Sequence, residues 1–272
     1  MSVRIFSGDR KLDAIPTDDR GLAYGDGLFE TMRAYQGEVP WWDAHWSRLQ
    51  LGAHRARLPL PDRKQVMAEA AQLCAGRDGV LKLIVTRGGG SRGYAPPTDV
   101  APTWLLSWHP LPRPHRPGGL VLRWCETRVA LQPALAGIKH CNRLEQVLAR
   151  AEWNDPGIDE GLLRSTDGDV VGATAANVFL FDGDRWRTPL VDRCGIAGVG
   201  RGWILATTDA REERLMPEDV EAAEALVLCN AVRGILPVAR LGDRSWPPHP
   251  AVQALRERLG HAHPAFVPEE DA

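Results

Sequence analysis

Residues 111–119 read LPRPHRPGG, three prolines and two glycines in nine positions, and this stretch limits the chain more than any other. Proline fixes its own φ and pushes the preceding residue toward extended backbone, so neither a helix nor a central strand runs through it. The spacing predicts two domains, 1–110 and 120–272, joined by the extended linker 111–119. At 272 residues the chain is long enough for a sizeable core on each side.

Before the linker the pattern alternates strands and helices. Val3–Phe6 reads as a short strand. In Leu28–Arg33, Leu28, Glu30 and Met32 alternate with Phe29, Thr31 and Arg33, which predicts a strand turning at Gln36-Gly37 into a partner at Glu38–Trp42. Asp43 is placed to cap a helix to about Arg57, with Trp42, Trp46, Leu49 and Ala53 inward; a second helix is expected over Arg63–Ala75. Strands follow at 80–87 and Thr103–His109. The loop between them, RGGGSRGY, lacks the GK[ST] ending of a P-loop and reads on its own as a flexible hairpin tip.

After the linker the chain is strand-rich: Leu120–Thr127, a run of strands and turns over Asp159–Trp186 with a hairpin tip at Asp167-Gly168, and Ala225–Cys229. Between the first two lies GIKHCNRLEQVLAR, Gly137–Arg150. Asn142 with Glu145 forms a capping-box pattern for a helix over Arg143–Trp153, and Leu144, Val147, Leu148 and Ala151 form an apolar stripe expected to face the core. Lys139, one of only four lysines beside 29 arginines, would be held just ahead of that anchor. A lysine that forms a Schiff base or carries a proton needs such placement; on these residues alone it equally reads as a surface lysine before a capped helix.

A net charge of -2 offers no electrostatic footprint for nucleic acid or an acidic membrane. Five cysteines without metal-ligand spacing read as free thiols of a reducing compartment, and no metal site is expected. Without a transmembrane-length apolar run, or a signal-peptide core in Met1–Arg20, the expected location is the cytoplasm. The acidic tail beyond Phe266 is expected to fray.

Several of these segments together carry a resemblance. KHCNRLEQVLAR, Lys139–Arg150, is similar to the lysine segment of the fold type IV pyridoxal-phosphate (PLP) enzymes: K-x-x-N is shared with the family's branched-chain and D-amino-acid aminotransferases, while RLEQ resembles its 4-amino-4-deoxychorismate-cleaving lyases. DRGLAYGDGLFET, Asp19–Thr31, matches the family's opening motif; H-x-x-R-L at His45–Leu49, RGGGSRGY at Arg87–Tyr94, GIAGVGR at Gly195–Arg201 and CNAVRGILPV at Cys229–Val238 match further blocks. The resemblance spans most of the chain from Asp18 to Val238. It implies a mixed α/β (α+β) fold in two domains, a smaller N-terminal α/β domain and a larger C-terminal one with a strand-rich core, PLP in the cleft between them, and a homodimer.

It also implies roles. Lys139 would be the Schiff-base lysine, acting as base and then acid, with Thr31 a candidate active-site hydroxyl. Arg48, Asn142, Gly198, Val199, Gly200, Asn230 and Ala231 would bind the cofactor, and Arg87, Arg92 and Tyr94 would grip substrate carboxylates. Without the resemblance, Thr31 reads as a strand former, Arg48 as part of a solvated helix face, and Asn230 as a strand-end turn. The chain departs from the pattern at Gly172, five residues before Asn177, where the family's glutamate for the pyridine nitrogen is expected. That departure counts against a general aminotransferase, which needs a strong electron sink. It leaves open three readings: a lyase releasing p-aminobenzoate and pyruvate, an aminotransferase, or a descendant whose chemistry has lapsed.

Overall fold

The computed structural model describes residues 2–115 and 117–267. The chain forms two compact units. The first comprises the chain to Pro112 together with Ile138–Asn142, and the second comprises Arg113–Gly137 and the chain from Arg143 on. The expected frayed tail lies, beyond Val267, outside the described residues.

The first unit contains β1 (Ser2–Ser7), β2 (Arg10–Leu12), the short helix α1 (Arg20–Tyr24), β3 (Gly27–Ala34), α2 (Trp42–Ala56), α3 (Arg63–Cys74), β4 (Gly79–Thr86) and β5 (Thr103–His109). Its strands form an antiparallel sheet in the order β2-β1-β5-β4-β3. The alternation in β3 does what period two requires. Leu28 and Met32 join Leu81, Leu83, Val85, Trp104 and Leu106 in a core closed by Trp46, Leu49, Val66, Ala70 and Leu73 from α2 and α3. The expected partner strand at Glu38–Trp42 does not form: Tyr35 and Glu38 make an isolated bridge, β3 pairs with β4 instead, and the chain enters α2 at Trp42. Trp41, at φ 62, is the N-cap, and Asp43 sits in the first turn, bonded to Arg63, rather than at the cap.

The second unit contains β6 (Leu120–Val129), α4 (Leu144–Arg150), β7 (Glu160–Ser165), β8 (Val170–Ala173), β9 (Asn177–Phe181), β10 (Trp186–Pro189), α5 (Val199–Thr207), β11 (Arg211–Glu213), α6 (Pro217–Ala222), β12 (Ala225–Asn230), β13 (Gly234–Leu241), β14 (Arg244–Ser245) and α7 (Pro250–Ala262). Among the described residues its sheet runs β11-β10-β9-β12-β13-β6-β7-β8, with β14 added to β13. The neighbours β6, β7 and β13 run parallel, mixed with antiparallel pairs elsewhere. Segments β8 and β9 are not each other's ladder partners: β8 pairs with β7, and β9 with β10 and β12.

The helix after Lys139 differs from its expected form. It runs from Leu144 to Arg150, its N-cap is Arg143 without a side-chain cap bond, and Glu145 instead accepts from the Ala130 amide at 2.8 Å. The apolar stripe faces outward, with Leu144, Val147 and Leu148 exposed at 70, 60 and 55%; Ala149 is the buried position.

Candidate active site

Lys139 is placed by strand geometry, not by the helix that follows it. The Phe29 amide donates to the Lys139 carbonyl at 3.0 Å, the Cys141 amide to the Gly27 carbonyl at 2.9 Å, and Leu28 and His140 form a bridge. Ile138–Asn142 therefore lies along the outer edge of β3, which explains why it belongs to the first unit. The ammonium of Lys139 stands 4.3 Å from the centre of the Phe29 ring, within cation–π range. Asn142, expected as helix cap, instead donates its amide to the Gly25 carbonyl at 3.1 Å. Gly25 is in the left-handed region at φ 64, and a Cβ there would meet Asn142 Oδ1 at 2.5 Å. The two are fitted to each other.

Behind β3 lies a buried charge network. Glu30 and His45 are each 1% exposed. Arg48 donates Nε to Glu30 Oε1 at 2.9 Å and a second N–H to Oε2, while His45 Nδ1 lies 2.6 Å from Oε2. Burial alone would raise the Glu30 pKa, but the Arg48 charge and the hydrogen bonds from His45 and Arg48 together hold it below the ordinary carboxylate value. His45 moves the other way: burial, with help from the Arg48 and Lys139 charges, lowers its pKa against the pull of Glu30. The imidazole is therefore neutral at pH 7, and its Nε2 is buried without a hydrogen-bond partner.

The arginines of the glycine-rich loop divide. Arg87 is 7% exposed and already committed: Nε and Nη2 bond Asp26 at 2.7 and 3.0 Å, and the remaining donors reach the Arg57 and Ala56 carbonyls at 2.5 and 3.0 Å. The expectation that Arg87 grips a substrate carboxylate is therefore corrected. Its fork is satisfied by protein acceptors, and freeing it would strand Asp26 and two carbonyls. Arg20 braces the same aspartate and bonds the carbonyls of Gly93 and Tyr94 at 2.9 and 3.2 Å. Arg92 and Tyr94 stay exposed, with Tyr94 at 86% and its ring edge-on to Tyr24.

One residue outside the sequence-derived candidates lies beside Phe29 and Thr31. Lys82 on β4 is the direct cross-strand partner of Thr31, and its ammonium lies 5.3 Å from the Phe29 ring centre. Thr31 shares that face with Phe29 by alternation. The available signal was its register opposite Thr31, which becomes visible only once β3 and β4 are paired.

In the second unit, GIAGVGR forms a glycine cradle. Gly198 is the N-cap of α5 and has no side chain to cap it, so the first-turn amides of Val199 and Gly200 present the positive end of the helix. A Cβ on Gly198 would fall 2.0 Å from Asn177 Oδ1, and one on Gly200 3.5 Å from the Asn230 backbone. Asn177 is held by its bond to the Ile196 carbonyl at 2.9 Å. Asn230 Oδ1 accepts from the amides of Val232 and Arg233 at 3.0 and 2.9 Å, which shapes the turn through Ala231. Arg201 is buried and braces α5 through the Pro189 carbonyl and Glu212. Gly172 stands at φ 152, where a Cβ would meet the Ala176 carbonyl at 3.0 Å. The local backbone is thus built around glycine, and a glutamate there would be strained.

The chain as a whole has relatives among known proteins. The chain is similar to an aminodeoxychorismate lyase of Vibrio harveyi, 32% identical over 83% of this chain and 86% of the relative. A D-alanine aminotransferase of Bacillus licheniformis is 23% identical over 89% of each. The structure of 4-amino-4-deoxychorismate lyase from Pseudomonas aeruginosa superposes with a TM-score of 0.89 at 39% identity, covering 95% of this chain and 99% of that one. Residues 27–241 match the amino-transferase class IV family as a whole. On this agreement of sequence and fold the chain belongs to the class IV aminotransferases, a family of pyridoxal-phosphate enzymes.

Proposed function

We propose that this chain is a PLP-dependent lyase that converts 4-amino-4-deoxychorismate to p-aminobenzoate and pyruvate, supplying folate synthesis. The observation that carries this reading is the P. aeruginosa lyase likeness, 39% identity over 95% of the chain. It stands well above the likeness to the aminotransferase relative.

The residues present fit the cofactor. Lys139 offers a primary amine beside an aromatic ring, and Arg48 a guanidinium charge suited to a phosphate dianion, its Nε side held in place by Glu30. Val199 and Gly200 offer helix-end amides in a cradle that a Cβ on Gly198 would fill. Bound pyridoxal phosphate supplies an electron-withdrawing ring that stabilises negative charge on the carbon bearing the substrate amine. Lys139 Nζ removes the proton from that carbon; the ether C–O bond then breaks, and the same nitrogen returns the proton to the departing pyruvate enol. Thr31 is the hydroxyl on the adjoining face. Lys82 takes one substrate carboxylate, the role that Arg87 cannot fill, and Arg92 and Tyr94 remain candidates at the loop tip. The missing carboxylate at Gly172 is consistent with a lyase, because loss of pyruvate leaves an aromatic ring and product stability drives the step.

We further propose a cytoplasmic homodimer. No helix among the described residues is long and apolar enough to cross a membrane, and the exposed Leu144, Val147 and Leu148 face of α4 supports pairing with a second copy. Val147→Glu should shift the mass in solution from dimer to monomer, and a dimer unchanged by it rules out this face.

The deciding experiment compares visible absorbance with added PLP, and p-aminobenzoate formation from chorismate plus an aminating partner, in wild type and Lys139→Ala. The reading expects coloured, active wild type and a variant that loses the lysine-bound colour and at least about a thousandfold of activity. Colour without p-aminobenzoate, together with transamination of D-alanine, would hand the site to an aminotransferase.

A further inference from the structure

The opening motif, Asp19–Thr31, does more than lead into β3: its polar side chains converge on the glycine-rich loop. Arg20 belongs to the five-residue helix α1 yet is only 4% exposed, because residues 88–95 wrap around it. Its Nε bonds Asp26 at 2.9 Å, and its terminal nitrogens reach the Gly93, Tyr94 and Ala95 carbonyls at 2.9, 3.2 and 3.5 Å. The Arg20 amide donates to the Gly88 carbonyl at 2.9 Å, the Gly90 amide to the Asp18 carbonyl at 3.2 Å, and the Gly93 amide to the Tyr24 hydroxyl at 3.0 Å. The Tyr24 ring centre lies 4.9 Å from the Arg20 guanidinium, and the ring meets Tyr94 edge-on. Two glycines permit the wrap: Gly93 adopts φ 103, and a Cβ on Gly90 would crowd Arg20 Cδ at 3.1 Å. A loop that composition alone reads as a flexible tip is therefore pinned along its length.

Asp26 ties this clamp to the lysine segment. Burial would raise its pKa, but the bonds from Arg87 and Arg20 hold it below the ordinary carboxylate value, so it stays a counter-charge for both. Its chain neighbours seat the Lys139 segment: the Gly25 carbonyl accepts from Asn142 and the Gly27 carbonyl from the Cys141 amide. An arginine kept for stability alone spends its donors on fixed elements, as Arg87 does at the end of α2. Arg20 instead grips the three peptides that follow the exposed Arg92. We propose that Arg20 is a positioning residue: anchored by Asp26 and flanked by Tyr24, it fixes residues 88–95 in one geometry and so aims Arg92 at a substrate carboxylate. This rests on the lyase reading for the substrate's identity and deepens it, because the loop becomes a preformed grip whose ordering costs nothing at the moment of binding.

The test joins hydrogen-exchange mass spectrometry of the loop to calorimetric titration of chorismate into the PLP-loaded protein. Chorismate has both carboxylates but a hydroxyl in place of the amine, so it binds without reacting with Lys139. Arg20→Lys keeps a charge for Asp26 but loses the fork that reaches the loop. Exchange over residues 88–95 should quicken about tenfold, and chorismate Kd and lyase KM should rise about five- to tenfold, with kcat within about twofold of wild type. Arg92→Ala should raise Kd by a similar factor. Because Arg20 acts through Arg92, adding Arg20→Lys to Arg92→Ala should weaken binding by less than about twofold more. Loop exchange within about twofold of wild type in Arg20→Lys, or effects of the two substitutions on Kd that simply multiply, would overturn the inference. Should Arg20→Lys not fold, Tyr24→Phe carries the test, since it removes only the hydroxyl that holds the Gly93 amide. It should quicken loop exchange about threefold and raise Kd about two- to threefold, the second effect vanishing beside Arg92→Ala; unchanged exchange overturns the inference. Chorismate binding with non-multiplying effects but no p-aminobenzoate sinks the lyase reading alone. Product formation with multiplying effects sinks this inference alone, and wild type that neither binds chorismate nor forms product sinks both.

Discussion

On the proposed reading, the two units would offer charge to a phosphate in opposite ways. The first uses side chains: Arg48 is locked by the buried Glu30, itself bonded to His45. The second uses backbone: Gly198, Val199 and Gly200 leave helix-end amides uncovered, and the neighbouring asparagines only shape the turns. A side-chain site depends on a counter-charge that keeps the cation in place and is therefore sensitive to pH and to loss of either partner. A backbone site depends on empty space and is sensitive to one added carbon.

Substitution in the first unit should break this comparison most forcefully. Arg48→Ala leaves Glu30 buried without its counter-charge, and we expect a loss of about 3–5 kcal/mol in stability along with weakened PLP binding. Denaturant unfolding and a PLP titration read the two effects separately; stability lost with PLP affinity intact would make Arg48 purely structural. Gly198→Ala should be milder, about 1–2 kcal/mol from the clash with Asn177, with roughly tenfold weaker PLP binding. Unchanged PLP affinity in that variant would remove the glycine cradle from the site. The smallest effect is on pH. Because the folded protein resists protonating His45, whose ordinary value is 6.5, the unfolded chain binds more protons below that pH and stability falls as pH drops through it. Glu30, held below its ordinary value of 4.5, contributes stability that is lost only at lower pH. His45→Gln should flatten the melting temperature between about pH 7 and 5 relative to wild type, and an unaltered slope would show that another group titrates there.

Much of this was legible in the chain. Alternation in Leu28–Arg33 predicted the strand that forms and set Leu28 and Met32, which are in the core, on the face opposite Phe29 and Thr31, because period two is a property of the backbone itself. Lys139 stood out by its rarity and its motif. What failed were inferences about partners. The stripe on α4 was correctly apolar, but periodicity reports that a face is apolar and not what covers it, and here it faces outward. Arg87 has a guanidinium's donors, but its composition cannot reveal that Asp26 and two carbonyls use them. Lys82 was passed over for the converse reason: its significance comes from register with Thr31, and register is decided by long-range pairing.

The short run Ile138–Asn142 also bears on how the chain is synthesised. It lies more than a hundred positions after the strand whose edge it covers, so a nascent chain that has completed the first five strands still shows β3 with a bare rim. Exposed rims recruit other chains. The same residues that bring Lys139 to its post therefore also seal the sheet. A fragment ending at the proline-rich linker should be prone to self-association for want of the segment that makes the complete protein reactive.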